Sequence, residues 1–302
     1  MLKKNMKIKR DTILKVKEKM ELMEFLAFHL QGKSKNNLKS LLSHGQITVD
    51  SQMVSQYNHV LTIGQEVKIN WNKDRDVKKM QGVQILFEDD NIIVANKDAG
   101  ILSVSTGGRD ENTAYNKLKD HVKSSNPKNK IFIVHRLDRN TSGIMMFAKT
   151  AEAQQLLQSD WKKYIVSRKY SVLVEGKVKD DKGTITSWLK ENTAFVVYSS
   201  KTDNGGKKAI TNYEVIKKTN NFTLLEASLE TGRKNQIRVH MQDLKHPIVG
   251  DKKYGADGNP IKRMGLHARV LEFIHPITGK EYKFETKIPA SFEKVFKRMR
   301  KR

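Results

Sequence analysis

His135, Arg136, Leu137, Asp138 and Arg139 follow one another, so one carboxylate stands between two guanidinium groups with an imidazole nearby. Positive charge within a few ångströms favours the ionised carboxylate. An aspartate kept in that form has the makings of a nucleophile or an electrostatic catalyst. Spacing alone favours a plainer role for Asp138: its side chain bonds backbone N–H groups of the turn and pairs with a neighbouring arginine. A second cluster, Arg233, Gln236 and Arg238 after Thr231-Gly232, reads by itself as phosphate-binding. Asp89 and Asp90 are adjacent on a turn, where two side chains do not converge on one substrate atom; a solvated hairpin tip is expected. His240, His246, His267 and His275 are too scattered for a zinc site and are assigned structural roles, so no metal is expected. Asn204-Gly205-Gly206-Lys207-Lys208 lacks the spacing and the Ser or Thr of a phosphate loop.

Strands and helices must position these groups. Apolar runs at residues 131–134 and 144–148 flank the charged segment, the pattern of two buried strands joined by a polar loop. Residues 85–101 read as two strands around an acidic hairpin, ending in Lys97 and a turn at Gly100. Residues 109–125 read as a helix with Ala114, Leu118 and Val122 on one face, and residues 151–161 as another that docks Leu156 and Leu157. In the strand expected over residues 164–176, Arg168 and Tyr170 share a side because side chains alternate. For a lone strand tyrosine, a core position with a satisfied hydroxyl is the default. Residues 177–208 turn polar, 229–238 form a turn and a short helical segment, and 266–285 read as a closing hairpin turning at 276–279.

The first quarter of the chain has a different texture. Residues 1–19 are Lys-rich and read as a basic arm. Leu22, Phe25, Leu26 and Leu30 recur at helical spacing, Gly32 offers a stop, and Ser34 is placed to cap a second helix carrying Leu38, Leu41 and Leu42. Gly45 breaks that helix, and short strands follow from Ile47 to Ile69. Lys33, Lys35 and Lys39 are expected to project from the second helix; a solvated face is the ordinary fate of such charges. Residues 72–82 are charged and aperiodic, as suits a linker. The tail, 296–302, is basic.

The chain has 302 residues with 57 Lys and Arg against 33 Asp and Glu, a formal charge of +24. Such a field favours polyanions, which makes nucleic acid the leading partner class and an anionic membrane surface the weaker one. No apolar run approaches membrane-spanning length, and the basic N-terminus lacks the apolar core of a signal peptide. Cysteine is absent, which excludes disulfides and thiolate metal sites. A cytoplasmic protein is the simplest expectation.

The run His-Arg-Leu-Asp-Arg-Asn-Thr-Ser-Gly at 135–143 resembles the signature of the RluA-type pseudouridine synthases. Residues 85–101 and residues 229–255, from Leu229-Glu-Thr-Gly-Arg to Gly-Asp-Lys-Lys-Tyr-Gly, resemble two further segments of that family. Residues 34–50 resemble the RNA-binding domain named after ribosomal protein S four. The resemblance implies an α+β fold with a mixed, mainly antiparallel central sheet and flanking helices, preceded by a small α/β RNA-binding domain. It implies domains at 20–71 and 83–295. It implies that Asp138 is catalytic, that Arg238 pairs with it and that Tyr170 lies over the target base. Arg136 is expected to enter the space the base vacates. His135, Arg139, Lys97, Arg168, Arg233 and Gln236, with Lys33, Lys35 and Lys39, are expected on the RNA.

Three departures stand out. Asp98 replaces the usual Pro and removes a rigid turn constraint. Asn235 replaces His, so no role tied to an imidazole transfers there. Asp50-Ser51 replaces Asn-Gly, and a looser turn is expected. Isomerising a uridine needs no redox change or external group, so no cofactor is implied. RNA is the expected partner, in the first place large-subunit ribosomal RNA or its precursor particle, with transfer RNA as the alternative and a monomer as the expected state. Two rival readings are an RNA-binding assembly factor without activity and a glycosidase. The latter requires a second carboxylate opposite Asp138, and no motif nominates one.

Overall fold

The computed structural model describes residues 12–43, 46–50, 52–54, 56–69, 71, 80–105 and 112–297. The chain divides into two compact units, Met1–Val77 and Lys78–Arg302. In the first, β1 (Thr12–Lys15) and β2 (Met20–Glu21) lead into α1 (Leu22–His29), α2 (Lys35–Ser43), β3 (Ile47–Val49), β4 (Gln52–Met53), β5 (Val60–Leu61) and β6 (Glu66–Ile69). The apolar spacing read from the sequence becomes one core: Leu22, Phe25 and Leu26 of α1 and Leu38 and Leu42 of α2 close over Ile47, Val67 and Ile69. Ser34 caps α2, its Oγ accepting from Asn37 N–H at 3.3 Å.

Three expectations for this unit change. Part of the basic arm is built in: β1 pairs antiparallel with β6, and Val16 is buried. The alternation of Thr12-Ile13-Leu14-Lys15 is obscured in the sequence by the lysines around it. The turn at Asp50 is not loose: Asp50 takes the left-handed conformation at φ +47°, and its carboxylate accepts from Glu66 N–H and Gln65 Nε2, both at 2.9 Å. Lys33 precedes α2 rather than projecting from it and lies over the Trp71 ring at 4.9 Å; Lys35 and Lys39 are exposed on the helix. Residues 1–11, Gly45, Ser51 and most of the expected linker, 72–79, lie outside the described residues.

The second unit runs β7 (Val83–Glu88), β8 (Ile92–Lys97), α3 (Ala114–Ser125), β9 (Phe132–Ile133), β10 (Ser142–Ala148), α4 (Ala151–Ser159), α5 (Trp161–Tyr164), β11 (Ile165–Glu175), β12 (Lys182–Glu191), β13 (Val197–Ser200), β14 (Lys207–Lys218), β15 (Phe222–Leu229), α6 (Gln236–Asp243), a 3-10 turn (Lys252–Tyr254), β16 (Leu266–Ile274), β17 (Glu281–Glu285) and α7 (Ala290–Lys297). Among the described residues these form an eleven-stranded sheet, ordered β13-β12-β14-β15-β11-β16-β10-β8-β7, with β17 on β16 and β9 on β10. Its ladders are antiparallel except β10 with β16, which pair in parallel at Ser142↔His267 and Gly143↔Ala268. This is the mixed, mainly antiparallel α+β fold expected. Gly143, at φ +118°, permits that crossing: a Cβ there would stand 2.1 Å from Ala268 O.

The helices cover apolar patches of the sheet. α4 and α5 bury Ala153, Leu157 and Tyr164 against β8 and β10, α6 buries Ile237 and Met241 against β11 and β15, and α7 buries Phe292 and Phe296 near β15. The polar stretch 177–208 holds β12 and β13, whose one-sided burial dilutes their apolar content; the tail expected from 296 begins in α7, where Phe296 is buried, and residues 298–302 lie outside the described residues. The helix expected from 109 starts at Ala114, capped by Thr113; residues 109–111 are outside the described set. Asp89 is not a solvated tip. Its Oδ1 accepts from Asn91 and Ile92 N–H at 2.8 Å, and its Oδ2 lies 3.0 Å from the buried His275 Nε2, though off the line of a hydrogen bond.

Candidate active site

The loop between β9 and β10 carries Asp138 and is held by its main chain. Ser103 Oγ donates to Leu137 O at 2.6 Å and accepts from Leu137 N–H at 3.0 Å, one residue before the aspartate. On the far side, Lys97 Nζ donates to Asp98 O at 3.0 Å, Ile101 O at 2.7 Å and Arg139 O at 3.2 Å. Its ammonium is completely buried. Burial pulls the Lys97 pKa down to about 7, opposed by the Asp138 charge. Gly100 N–H donates to Arg139 O at 2.8 Å and Arg139 Nε returns a bond to Gly100 O at 3.1 Å. His135 Nε2 accepts from Met146 N–H at 2.9 Å, and burial drives its pKa down to about 3, so it stays neutral with the proton on Nδ1.

Lys97 is therefore a support of the loop rather than the RNA contact expected, and the part-buried His135 gives its Nε2 to the main chain of β10. Buried charges need partners, and three carbonyls converging at the end of β8 claim this one. Nor do Arg136 and Arg139 hold the carboxylate between them. Arg136 is exposed and meets no carboxylate among the described residues, while Arg139 is exposed and spends its Nε on the main chain.

The cation on Asp138 comes from 100 residues away. Arg238, in the first turn of α6, reaches Asp138 Oδ2 with Nη1 at 3.3 Å. Its other nitrogens are committed to Asp251, Nε to Oδ2 at 2.7 Å and Nη2 to Oδ1 at 2.8 Å, a bidentate pair that fixes the plane of the guanidinium. The Tyr254 ring lies beneath it at 4.7 Å. Asn235 takes the left-handed conformation at φ +55° just before α6; its Oδ1 accepts from Arg238 Nη1 at 3.0 Å and its Nδ2 donates to Tyr254 Oη at 3.0 Å. Burial works against the Arg238 charge, but Asp251 and Asp138 outweigh it and move its pKa up. Asp251 is buried, whereas the Asp138 side chain is 32 % exposed. No hydrogen bond to Asp138 Oδ1 is made among the described residues. One carboxylate oxygen is left open beside a rigid cation.

Tyr170 and Arg168 share one side of β11, as their spacing requires. Burial, chiefly, and the Asp138 charge push the Tyr170 phenol up, with Arg168 opposing. Arg168 lies over the Trp161 ring at 6.0 Å and against Gly232, where a Cβ would stand 2.6 Å from its Nη1; the missing side chain lets the two motifs touch. Arg233 is exposed, with Nε on Lys208 O at 3.0 Å. Gln236 is not an RNA contact. It is buried, donating to Ile210 O and Thr211 Oγ1 at 2.9 Å and accepting from Thr231 Oγ1 and Arg233 N–H. Sequence reasoning missed Asp251 and Tyr254. Both lie in the second motif, as Gly-Asp-Lys-Lys-Tyr-Gly, but its residues alone gave them no role.

The sequence model of RNA pseudouridylate synthase matches residues 91–243, just over half of the chain and all of this site except Asp251 and Tyr254. The chain belongs to the RNA pseudouridylate synthase family. It is an isomerase acting on RNA, and its first motif is of the RluA type. The RNA pseudouridine synthase YjbO of Bacillus subtilis is 34% identical over 71% of this chain and 76% of that protein. The ribosomal large subunit pseudouridine synthase D of Zymomonas mobilis is 33% identical over 71% of this chain and 72% of its own length. Human RNA pseudouridylate synthase domain containing 4 shares the fold, with a TM-score of 0.59 and 23% identity over 72% of this chain and 92% of its own.

Proposed function

We propose that this synthase converts a uridine of large-subunit ribosomal RNA to pseudouridine, with Asp138 as the reacting carboxylate. The observation that carries this reading is the pairing of the part-exposed Asp138 with an Arg238 whose remaining nitrogens are spoken for. In the reaction the bond from N1 to C1′ breaks, the base turns, and a bond from C5 to C1′ forms. The C5 hydrogen leaves as a proton and N1 gains one, so electrons balance without a cofactor. Arg238 sets a fixed positive charge against Asp138, Tyr170 covers the base, and Arg136, with its guanidinium in solvent, fills the space left in the RNA. Extruding the base costs a few kcal/mol, least for an unpaired nucleotide, which favours a loop or bulge uridine.

A polyanionic partner is supported by the +24 charge, and ribosomal RNA by relatives named for the large ribosomal subunit. The N-terminal unit, with Lys35 and Lys39 exposed on α2, is read as an S-four-like grip on the same RNA. The test is tritium release from RNA labelled at uridine C5, comparing the protein with Asp138→Asn on ribosomal and transfer RNA. Release from ribosomal RNA that vanishes in the variant is expected. Release from transfer RNA alone overturns the substrate, and release that persists in the variant overturns Asp138.

A further inference from the structure

Phe195 stands at the tip of the hairpin between β12 and β13 and is 72% exposed. The tip is built rather than loose. Asn192 N–H donates to Val196 O at 2.9 Å, Phe195 N–H to Asn192 O at 3.0 Å, and Val196 N–H to the Asn192 side chain at 2.9 Å. Phe195 itself takes the left-handed conformation at φ +56°, which residues with a bulky side chain avoid unless the surroundings impose it. The hydrophobic effect alone would turn a phenyl ring inward, so this hairpin presents a ring that folding does not use.

Cations flank the ring. Lys253 Nζ donates to Phe195 O at 2.9 Å, and Lys234 Nζ lies 6.0 Å from the ring centre while pairing with Glu191. Both adjoin the Arg238 cluster: Lys234 precedes Asn235, and Lys253 precedes Tyr254, whose hydroxyl accepts from Val197 N–H at 3.3 Å. The hairpin is thus fastened to Tyr254, whose ring lies against Arg238, and through Lys253 to the residue next to it.

We propose that Phe195 is a stacking platform for a nucleobase flanking the target uridine, with Lys234 and Lys253 on the adjoining phosphates. The proposal rests on the pseudouridine synthase reading for the identity of the ligand as RNA. An aromatic face stacks on any base, and neighbouring ammonium groups follow the backbone, the two elements of sequence-tolerant single-strand binding. A base held here keeps its strand in place while the adjacent uridine is out of its stack.

The test uses the full chain and fluorescein-labelled fragments of large-subunit ribosomal RNA, with C5 tritium release measured in parallel. Phe195→Ala weakens binding about tenfold, and Phe195→Trp stays within about twofold of the parent. The loss falls on KM more than on kcat. Because a ring carries no charge, Phe195→Ala leaves the slope of log K against log salt unchanged, whereas Lys253→Ala reduces it by about one. Parental affinity in Phe195→Ala overturns the platform, as does a loss accompanied by the reduced slope, which would mean the tip has collapsed and taken its lysines with it. Affinity lost in Phe195→Ala with no tritium release from the parent overturns the enzymatic reading and leaves the platform standing.

Discussion

The Asp138 loop and the start of α6 meet at one ion pair, yet they are held in opposite ways. The loop is gripped by its main chain, through Ser103, Lys97, Gly100 and the close crossing at Gly143. Arg238 is gripped by side chains, through Asp251, Asn235 and Tyr254. Main-chain supports are shared with the fold, so damage there removes stability and activity together. Side-chain supports orient one group, and damage there shows first in turnover.

Four experiments can break or sharpen that contrast. The largest effect is expected at Gly143→Ala, where the new Cβ meets Ala268 O and the strands must part; a loss on the order of 4 kcal/mol should appear in urea unfolding. An unchanged midpoint would show that the crossing yields. Next comes Lys97→Met, which leaves three carbonyls without their donor and should cost about 3 kcal/mol. Its pH signature has a definite sign. The folded group sheds its proton near pH 7 and the unfolded one near 10.5, so Lys97 makes stability rise with pH across that window, and the methionine removes the rise.

Asp251→Asn keeps one acceptor but loses the charge and the fork. Turnover should fall about a hundredfold from a small misplacement of Arg238, with less than half the stability loss of Lys97→Met. Parallel losses of equal size would erase the distinction between the two regions. The smallest effect concerns His240, bonded to Ser187 and Thr211 and held neutral, with burial lowering its pKa to about 4. From pH 6.5 down to about 4.5 the unfolded imidazole takes up a proton that the folded one refuses. Stability therefore falls as pH drops, and His240→Asn should flatten that slope by about 1.4 kcal/mol per pH unit.

The sequence disclosed what is local. Helical spacing predicted α1, α2 and α3, alternation predicted β11 with Arg168 and Tyr170 on one side, and motif resemblance carried the α+β sheet. What it concealed was which charges are buried. Lys97 and Gln236 stand in motifs crowded with cations and amides, and nothing in one dimension separates a side chain facing a phosphate from one facing its own backbone. Asp251 was hidden for the converse reason: its fork with Arg238 spans 13 residues and a turn whose direction only packing decides. The strand Thr12–Lys15 was masked by the lysines around it, since its partner β6 lies at the other end of the unit.

The parallel pairing of β10 with β16 also sets a timetable for synthesis. Ser142 and its neighbour His267 are 125 residues apart, which at ribosomal speeds of about 10 residues per second is an interval on the order of ten seconds. Through that interval β10, buried along its whole length in the finished protein, pairs with β8 on one side and with β9 at Phe147 and Ala148, while the edge at Ser142 and Gly143 waits for β16. Open apolar edges recruit other strands. The nascent chain thus passes through a stage in which the Asp138 loop and Arg238 are both made while the start of β10 still lacks its parallel partner. Aggregation during expression, and rescue by slower synthesis or by chaperones, are where that interval becomes visible.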